Sequence, residues 1–301
     1  MGDPKTLLLA LLALLAGLFA LAWYRRVRDA PRDGGEPGAE AGAPTAASVA
    51  IGALTDFFDT LGVGSFAPTT WFFRTLRLVP DRLIPGTLNV GHALPSVAQA
   101  LIFIAAVEVE SRTLIAMIAA AVAGAWLGAT VVAGWSRRRV QVGMGLALLV
   151  ASMILARQLV AGDPAGADAV ALEGRRFVLG VGGNFVLGAM MTIGVGLYAP
   201  CMILVALLGM NPRAAFPIMM GSCAFLMPIG GLRFVARGSY SLRAAVGLTI
   251  GGIPAVLLAA FVVKSLPLTA LRWLIFVVVL YTAVAMLVSA RRREEAVEVV
   301  A

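Results

Sequence analysis

The chain has 301 residues, 60% of them hydrophobic and only 13% charged, with a mean hydropathy of +0.93. A soluble domain carries about 45–50% apolar and about 25% charged residues, so this composition excludes a globular core and describes a polytopic membrane domain. The formal net charge of +8 does not indicate nucleic acid as a partner, because the arginines fall mostly in short loops between apolar runs, where they orient a membrane protein.

In chain order, Leu7 to Trp23 is apolar and is followed by Arg25, Arg26 and Arg28. A signal peptide carries its positive charge before the apolar stretch. Residues 1–24 therefore read as an uncleaved transmembrane helix with its C-terminal end in the cytoplasm. Residues 25–46, rich in Pro, Gly and Ala, read as a flexible linker. Apolar segments then run over 47–64, 66–79, 85–107, 113–133, 140–160, 177–196, 198–210, 214–235, 244–263 and 271–290. Most are about 20 residues, enough to cross a hydrocarbon core of about 30 Å. The segments starting at Pro68 and Pro200 are shorter: about 11–13 residues, reaching about 16–20 Å. They read as short helices, each forming a hairpin with the segment before it. Cys201 and Cys223 both lie in apolar segments, so neither a disulfide framework nor a metal site is indicated.

The chain repeats itself. Thr60-Leu61-Gly62-Val63-Gly64-Ser65-Phe66-Ala67-Pro68 returns as Thr192-Ile193-Gly194-Val195-Gly196-Leu197-Tyr198-Ala199-Pro200, and the same shift matches Pro80 to Pro212 and Pro85 to Pro217. Arg137-Arg138-Arg139 and Arg291-Arg292-Arg293 mark two cytoplasmic ends, and Glu108 and Glu110 mark an outer loop. Counting crossings inward from these clusters gives a first repeat over 47–160, an external linker over 161–176, a second and inverted repeat over 177–290, and a cytoplasmic tail over 291–301. The expected fold is all-α and polytopic: two inverted repeats with broken or half-length helices at the Gly-Val-Gly turns, plus one extra N-terminal helix. Inverted repeats recur in secondary transporters, which hold substrate near the midplane.

The motif Gly-Val-Gly-x-x-Ala-Pro carries a physical meaning. Glycine takes backbone angles that other residues resist, and proline suits the first turn of a helix. The motif should end one helix and begin another within the membrane, with a positive backbone angle at Gly64 and Gly196. Irregular backbone at that depth is tolerated only where protein buries it or a cavity lies beside it. The new helix then turns its N–H groups and positive dipole end to that cavity, which favours an anion. Two such ends meeting near the centre would bind one without any arginine. Glycine and proline also serve as packing and kink devices in membrane helices, but two copies in register favour the cavity.

Two copies of a Gly-rich turn, a following proline, a short apolar helix, a second proline and a helix start with small polar residues resemble the TauE/SafE sulfite exporter family, also called toluene sulfonate uptake permeases. The resemblance covers about residues 47–290. Family members often carry three consecutive glycines where this chain has Gly62-Val63-Gly64-Ser65 and Gly194-Val195-Gly196-Leu197. The resemblance implies import or export of small anions such as sulfite, organosulfonates or sulfur-containing carboxylates.

Polar residues stand out against the apolar background. Thr87, Asn89 and His92 follow Pro85, and Ser222 and Cys223 follow Pro217. They could hydrogen-bond an oxyanion or hold helices together. His92, the single histidine, is either a packed, satisfied residue or a proton relay at membrane depth. The substrate-binding candidates are thus Gly62, Gly64, Ser65, Pro68, Thr87, Asn89, His92, Gly194, Gly196, Pro200 and Ser222. Asp56 and Asp59 share a helix face before the first turn, and Gly188 and Met191 stand at their counterparts. Such acids carry a coupling proton or pair with Arg74, Arg77 or Arg233. Asp59, closer to the midplane, is the first choice for coupling.

The expected function is a secondary transporter of small anions in the cell membrane, the inner membrane of a bacterium, with the C-terminus cytoplasmic. A passive anion channel is the alternative. A membrane-embedded enzyme is a third reading, for which one histidine and two scattered cysteines supply neither a nucleophile–base pair nor metal ligands. No catalytic residue and no cofactor are expected, and no Gly-x-x-x-x-Gly-Lys-Ser/Thr motif for ATP occurs. The expected partners are the lipid bilayer and the small anion, with a homodimer allowed.

Overall fold

The computed structural model describes residues 3–28, 43–132, 136–161, 169–191 and 196–298. Among these residues there are twelve α-helices and no strand. They are α1 (Pro4–Arg28), α2 (Ala46–Thr60), α3 (Phe66–Thr75), α4 (Ile84–Gly91), α5 (Ala93–Ala106), α6 (Ser111–Val132), α7 (Arg137–Ala161), α8 (Gly174–Met191), α9 (Tyr198–Leu207), α10 (Ala215–Arg237), α11 (Leu242–Ser265) and α12 (Leu268–Glu298). Six spans are long and apolar enough to cross a membrane: α1, α7, α10, α11, α12, and α4 with α5 taken together. The chain is a multi-pass, all-helical membrane protein. Its outward side chains agree, since Val160, Trp126 and Phe261 are more than 70% exposed and find in lipid the apolar surroundings that water denies them.

Two compact units divide the chain. One takes Met1–Ala106 and Cys223–Ser265, the other Val107–Ser222 and Leu266–Ala301. These units do not follow the expected halves 47–160 and 177–290. In the first unit α2 packs along α11; in the second α6 packs along α8 and α7 along α12. Each unit therefore joins a helix from before the linker at 161–176 to one from after it.

Small residues make these pairings close. Hydrophobic burial drives little association between helices in lipid, so contact depends on how near the backbones come. Gly247 and Gly251, four residues apart on α11, face α2: a Cβ at Gly251 would run into the Val49 carbonyl, and one at Gly247 into Ser48. Gly52 returns the contact against the Leu248 backbone. In the second unit, Gly188 of α8 lies against the Ala121 backbone and Gly124 of α6 against the Phe185 carbonyl.

Helix α1 joins the first unit through one stripe. Leu8, Leu12, Phe19 and Trp23 are buried at helical spacing, and the Trp23 indole N–H donates to the Tyr240 hydroxyl at 3.1 Å.

The short helices α3 and α9 share their bounds at an offset of 132 residues and have 10 residues each, about 15 Å of rise. Both end in the same cap. Leu78 N donates to Phe73 O at 3.0 Å and Arg77 N to Arg74 O at 3.3 Å; Met210 N donates to Val205 O at 3.2 Å and Gly209 N to Ala206 O at 3.0 Å. This double bond pattern closes a helix around one left-handed residue. Gly209 fills that position at φ 79° and Arg77 at φ 51°.

The apolar segment 85–107 does not form one helix. It breaks at His92, between α4 and α5. Pro95 is the physical reason: without an N–H it cannot bond the carbonyl four residues back, that of Gly91. The hydroxyl of Thr249 on α11 supplies the missing donor at 2.7 Å. The linker 161–176 also differs from a free connection over its described end. Glu110 N donates to Val170 O at 2.8 Å, Asn211 N to Ala169 O at 2.9 Å and Leu172 N to the Thr113 hydroxyl at 3.1 Å. Residues 162–168, the linker 29–42 and the tail 299–301 lie outside the described residues.

The glycine contacts on α11 set a direct test. Gly251→Leu should destabilise the protein by about 1–3 kcal/mol through forced separation of α2 and α11. Gly17→Leu, on an open face of α1, should stay within about 0.5 kcal/mol of the parent. Thermal unfolding in detergent compares the two, and equal melting temperatures would mean that the α2–α11 approach is not constrained by size.

Candidate functional site

The turn between α2 and α3 begins with a helix end inside the apolar zone. Val63 N donates to Phe58 O at 3.1 Å and Gly62 N to Asp59 O at 2.8 Å, with Gly62 at φ 100°. This is again the left-handed cap, and it requires a glycine. Gly64 at φ 85° turns the chain a second time, and Ser65 starts α3. Gly196 directly follows residues outside those described, and a Cβ built on it would meet nothing within 4 Å. Gly194, with Thr192, Ile193 and Val195, lies outside the described residues.

The amide of Ser65, the residue that caps α3, is already occupied by a side chain of the protein itself. Ser65 N donates to Asp59 Oδ1 at 2.6 Å. A carboxylate beside the first turn of a helix meets both an unpaired donor and the positive dipole end. The other oxygen, Oδ2, accepts from Gln99 Nε2 at 2.9 Å. Gln99 Nε2 also reaches the Thr60 hydroxyl at 3.0 Å, which in turn donates to Asp56 O at 2.8 Å. Pro68 occupies the third position of α3, and Pro200 that of α9, where no intrahelical N–H bond is lost.

One turn before Asp59, Asp56 bonds the histidine. His92 Nδ1 lies 2.8 Å from Asp56 Oδ1, and His92 Nε2 lies 3.1 Å from the Thr69 hydroxyl on α3. Thr69 also donates to Ser65 O at 2.8 Å. Asp56, His92 and Thr69 are all fully buried. The break at Pro95 is what turns His92 into this position, at the end of α4 rather than along a continuous helix. The arginine partners expected for Asp56 are not there: Arg74, Arg77 and Arg233 are exposed, and Arg74 pairs with Asp81 at 3.1 Å. An imidazole buried next to Asp56 supplies the hydrogen-bond partner instead.

Carboxylate, imidazole and hydroxyl in series are the elements of a nucleophile, its base and an orienting group. One histidine thus does find such partners in the fold. Full burial of all three residues leaves no path for a substrate carbonyl to the Thr69 oxygen in this conformation, and proton transfer is the chemistry the chain of bonds permits.

The remaining sequence candidates have local duties. Thr87 donates to Leu83 O at 2.8 Å and accepts from Ser241 N at 2.9 Å, fixing the entry to α11. Asn89 Nδ2 bonds Pro85 O within its own helix at 2.9 Å. Ser222, in the second unit, donates to Ile218 O at 2.7 Å and accepts from Asn184 Nδ2 at 3.3 Å. Asn184 also bonds Met117 O at 2.7 Å, while its Oδ1 is buried with no partner.

Thr69, Gln99 and Asn184 escaped the sequence reading. Gln99 and Asn184 are amides within apolar stretches, and such residues face the bundle interior; that was the available signal for these two, while Thr69, beside Thr70, gave none. Among the described residues, no three His, Cys, Asp or Glu side chains cluster as metal ligands. Comparison with family models, curated proteins and solved structures finds no match to this chain.

The cap role of Asp59 predicts a graded response. Asp59→Ala leaves the Ser65 N–H and one Gln99 bond unmet and should cost about 2–4 kcal/mol. Asp59→Asn keeps an oxygen for Ser65 N and should cost less. Equal melting temperatures for the Ala and Asn variants would remove Asp59 from the cap.

Proposed function

We propose that this chain is a secondary transporter of small anions, such as sulfite, organosulfonates or sulfur-containing carboxylates, in the manner of the TauE/SafE family that it resembles. The observation that carries the reading is the duplicated half-length helix. Two helices of 10 residues, offset by 132, each start after a glycine-containing segment and each end in the same left-handed cap. A helix that spans only half a membrane has a use where its ends face a pathway for polar cargo.

The pairing of helices supports two repeats of opposite orientation. Under the same offset α2 corresponds to α8, and α6 to α11. The α2–α11 and α8–α6 pairs then become one contact seen twice, between the first helix of one repeat and the fourth of the other. An inverted duplication gives each such contact a symmetry mate. On this reading the arginines at 137–139 and 291–293 are cytoplasmic, the membrane is the cell membrane, and the C-terminal tail is inside. Cysteine accessibility in intact cells tests it: single cysteines at positions 138 and 292 should react only from the cytoplasm and one at 110 only from outside. Positions 138 and 292 on opposite sides would overturn the inverted arrangement.

The α9 start suits an anion better than the α3 start. Asp59 already caps α3, whereas its counterpart before α9 is Met191, which brings no carboxylate. Counterflow in proteoliposomes tests the carrier itself. Labelled sulfite outside should accumulate transiently against a trapped excess of unlabelled sulfite, the signature of alternating access. Simple equilibration without overshoot would indicate a passive channel, and no flux with any of sulfite, taurine, sulfoacetate or thiosulfate would reject the substrate class.

A further inference from the structure

The Asp56–His92–Thr69 chain can be read proton by proton, because each atom in it has a limited inventory. Thr69 has one hydroxyl hydrogen and two acceptors within reach: Ser65 O at 2.8 Å and His92 Nε2 at 3.1 Å. His92 has two ring nitrogens, one facing Thr69 and the other facing Asp56 Oδ1 at 2.8 Å. Asp56 Oδ2 is buried with no partner and faces Gly252, where a Cβ would strike it.

These contacts admit two complete arrangements. In the first, the Thr69 hydrogen points to Nε2, and the ring donates from Nδ1 to a charged Asp56. The imidazole–carboxylate pair then carries one negative charge. In the second, a proton has been added at Nε2. That N–H now donates to Thr69 Oγ1, and the hydroxyl turns to Ser65 O. The pair is neutral, as imidazolium with carboxylate or, after a shift along the 2.8 Å axis, as imidazole with carboxylic acid. Ser65 O keeps its bond from Thr69 N at 3.0 Å in both states. No acceptor is near Oδ2, so the acid proton stays on the axis to His92.

We infer that Asp56, His92 and Thr69 form a reversible proton-binding site, in which rotation of the Thr69 hydroxyl lets the pair gain or lose one proton while every donor in the chain keeps an acceptor. The charged groups around it are few. On α2 the neighbour is Asp59, held by Ser65 N and Gln99. Helix α3 presents Thr69, α5 the neutral Gln99, and α11 Gly252; Arg74 on α3 is exposed and paired with Asp81. The proton-poor state therefore leaves a negative charge on the pair one turn from Asp59, and uptake of a proton removes it. The exchangeable proton thus belongs one turn before Asp59, whose two oxygens are engaged in capping α3 and holding Gln99.

Because the chain has one histidine, the test needs no assumption about cargo. Full-length, tag-free protein labelled with ¹⁵N-histidine is placed in lipid nanodiscs, and the ring nitrogen shifts are followed from about pH 5 to about pH 9. The expected result is one transition, from Nε2 protonated at low pH to an Nδ1–H tautomer at high pH. Thr69→Ser should titrate within about twofold of the parent in proton affinity. Thr69→Val leaves the Nε2–H without an acceptor and should lower that affinity at least about tenfold, one pH unit. A folded parent that keeps one ring form throughout would overturn the proposal, and so would a folded Thr69→Val that titrates like the parent. The parent titration decides by itself if the valine variant does not fold. Loss of sulfite counterflow with an intact titration would instead count against the transport reading alone.

Discussion

A helix that stops inside a hydrocarbon layer leaves peptide groups that water cannot reach, and each must find a partner within the protein. The architecture of this chain is organised around that requirement. At the end of α2, Gly62 folds the chain back so that its own amides meet the last carbonyls. At the start of α3, Asp59 takes the amide of the capping residue Ser65. At the break between α4 and α5, the Thr249 hydroxyl replaces the donor that Pro95 lacks. At the ends of α3 and α9, Arg77 and Gly209 take the left-handed position. The buried polar cluster gathers where three such interruptions, those of α2, α3 and α4, fall in one unit.

The same economy explains the glycines. Thr249 can reach Gly91 only because α11 lies close to α4 and α2, and that distance is set by Gly247, Gly251 and Gly52. Gly252 makes room for the Asp56 carboxylate in the same way. A side chain on any of these positions would act on packing and on the polar cluster together, since the close approach of α11 is the wall against which Asp56 is buried.

Much of this was legible in the sequence. The apolar runs gave the helices, the offset of 132 residues gave the matched short helices, and the lone charges Asp56, Asp59 and His92 in apolar surroundings marked the polar cluster. The Gly62-Val63-Gly64 turn follows from residue type alone, because glycine is the residue that adopts those angles without strain. What was not legible depends on contacts distant in the chain. Pro95 signals an interruption, but the partner that meets the freed Gly91 carbonyl, Thr249, lies 158 residues away. Nothing local distinguishes Asp56 paired with an arginine from Asp56 paired with His92. Gln99 and Thr69 resemble ordinary helix residues until the fold brings Asp59 and His92 to them.

Helices α3 and α9 match in bounds and end caps, but the residues around them differ in chemistry. Positions matched to Asp56, Asp59 and His92 by the offset are Gly188, Met191 and Ala224. In the second unit the neutral Asn184 and Ser222 form a buried polar pair. Gly188 is used instead for close packing on α6, so an aspartate at that site would have no space. The titratable pair is therefore compatible with only one of the two helix pairings, the one in which α11 offers Gly252 rather than a backbone in contact. On the proposed reading as two repeats, the scaffold divides its tasks, with these ionisable groups in one copy and uncharged hydrogen-bonding groups at the matched place in the other. Since burying charge in lipid is costly and burying a satisfied amide much less so, one charged copy is the less expensive way to give the scaffold a response to protons.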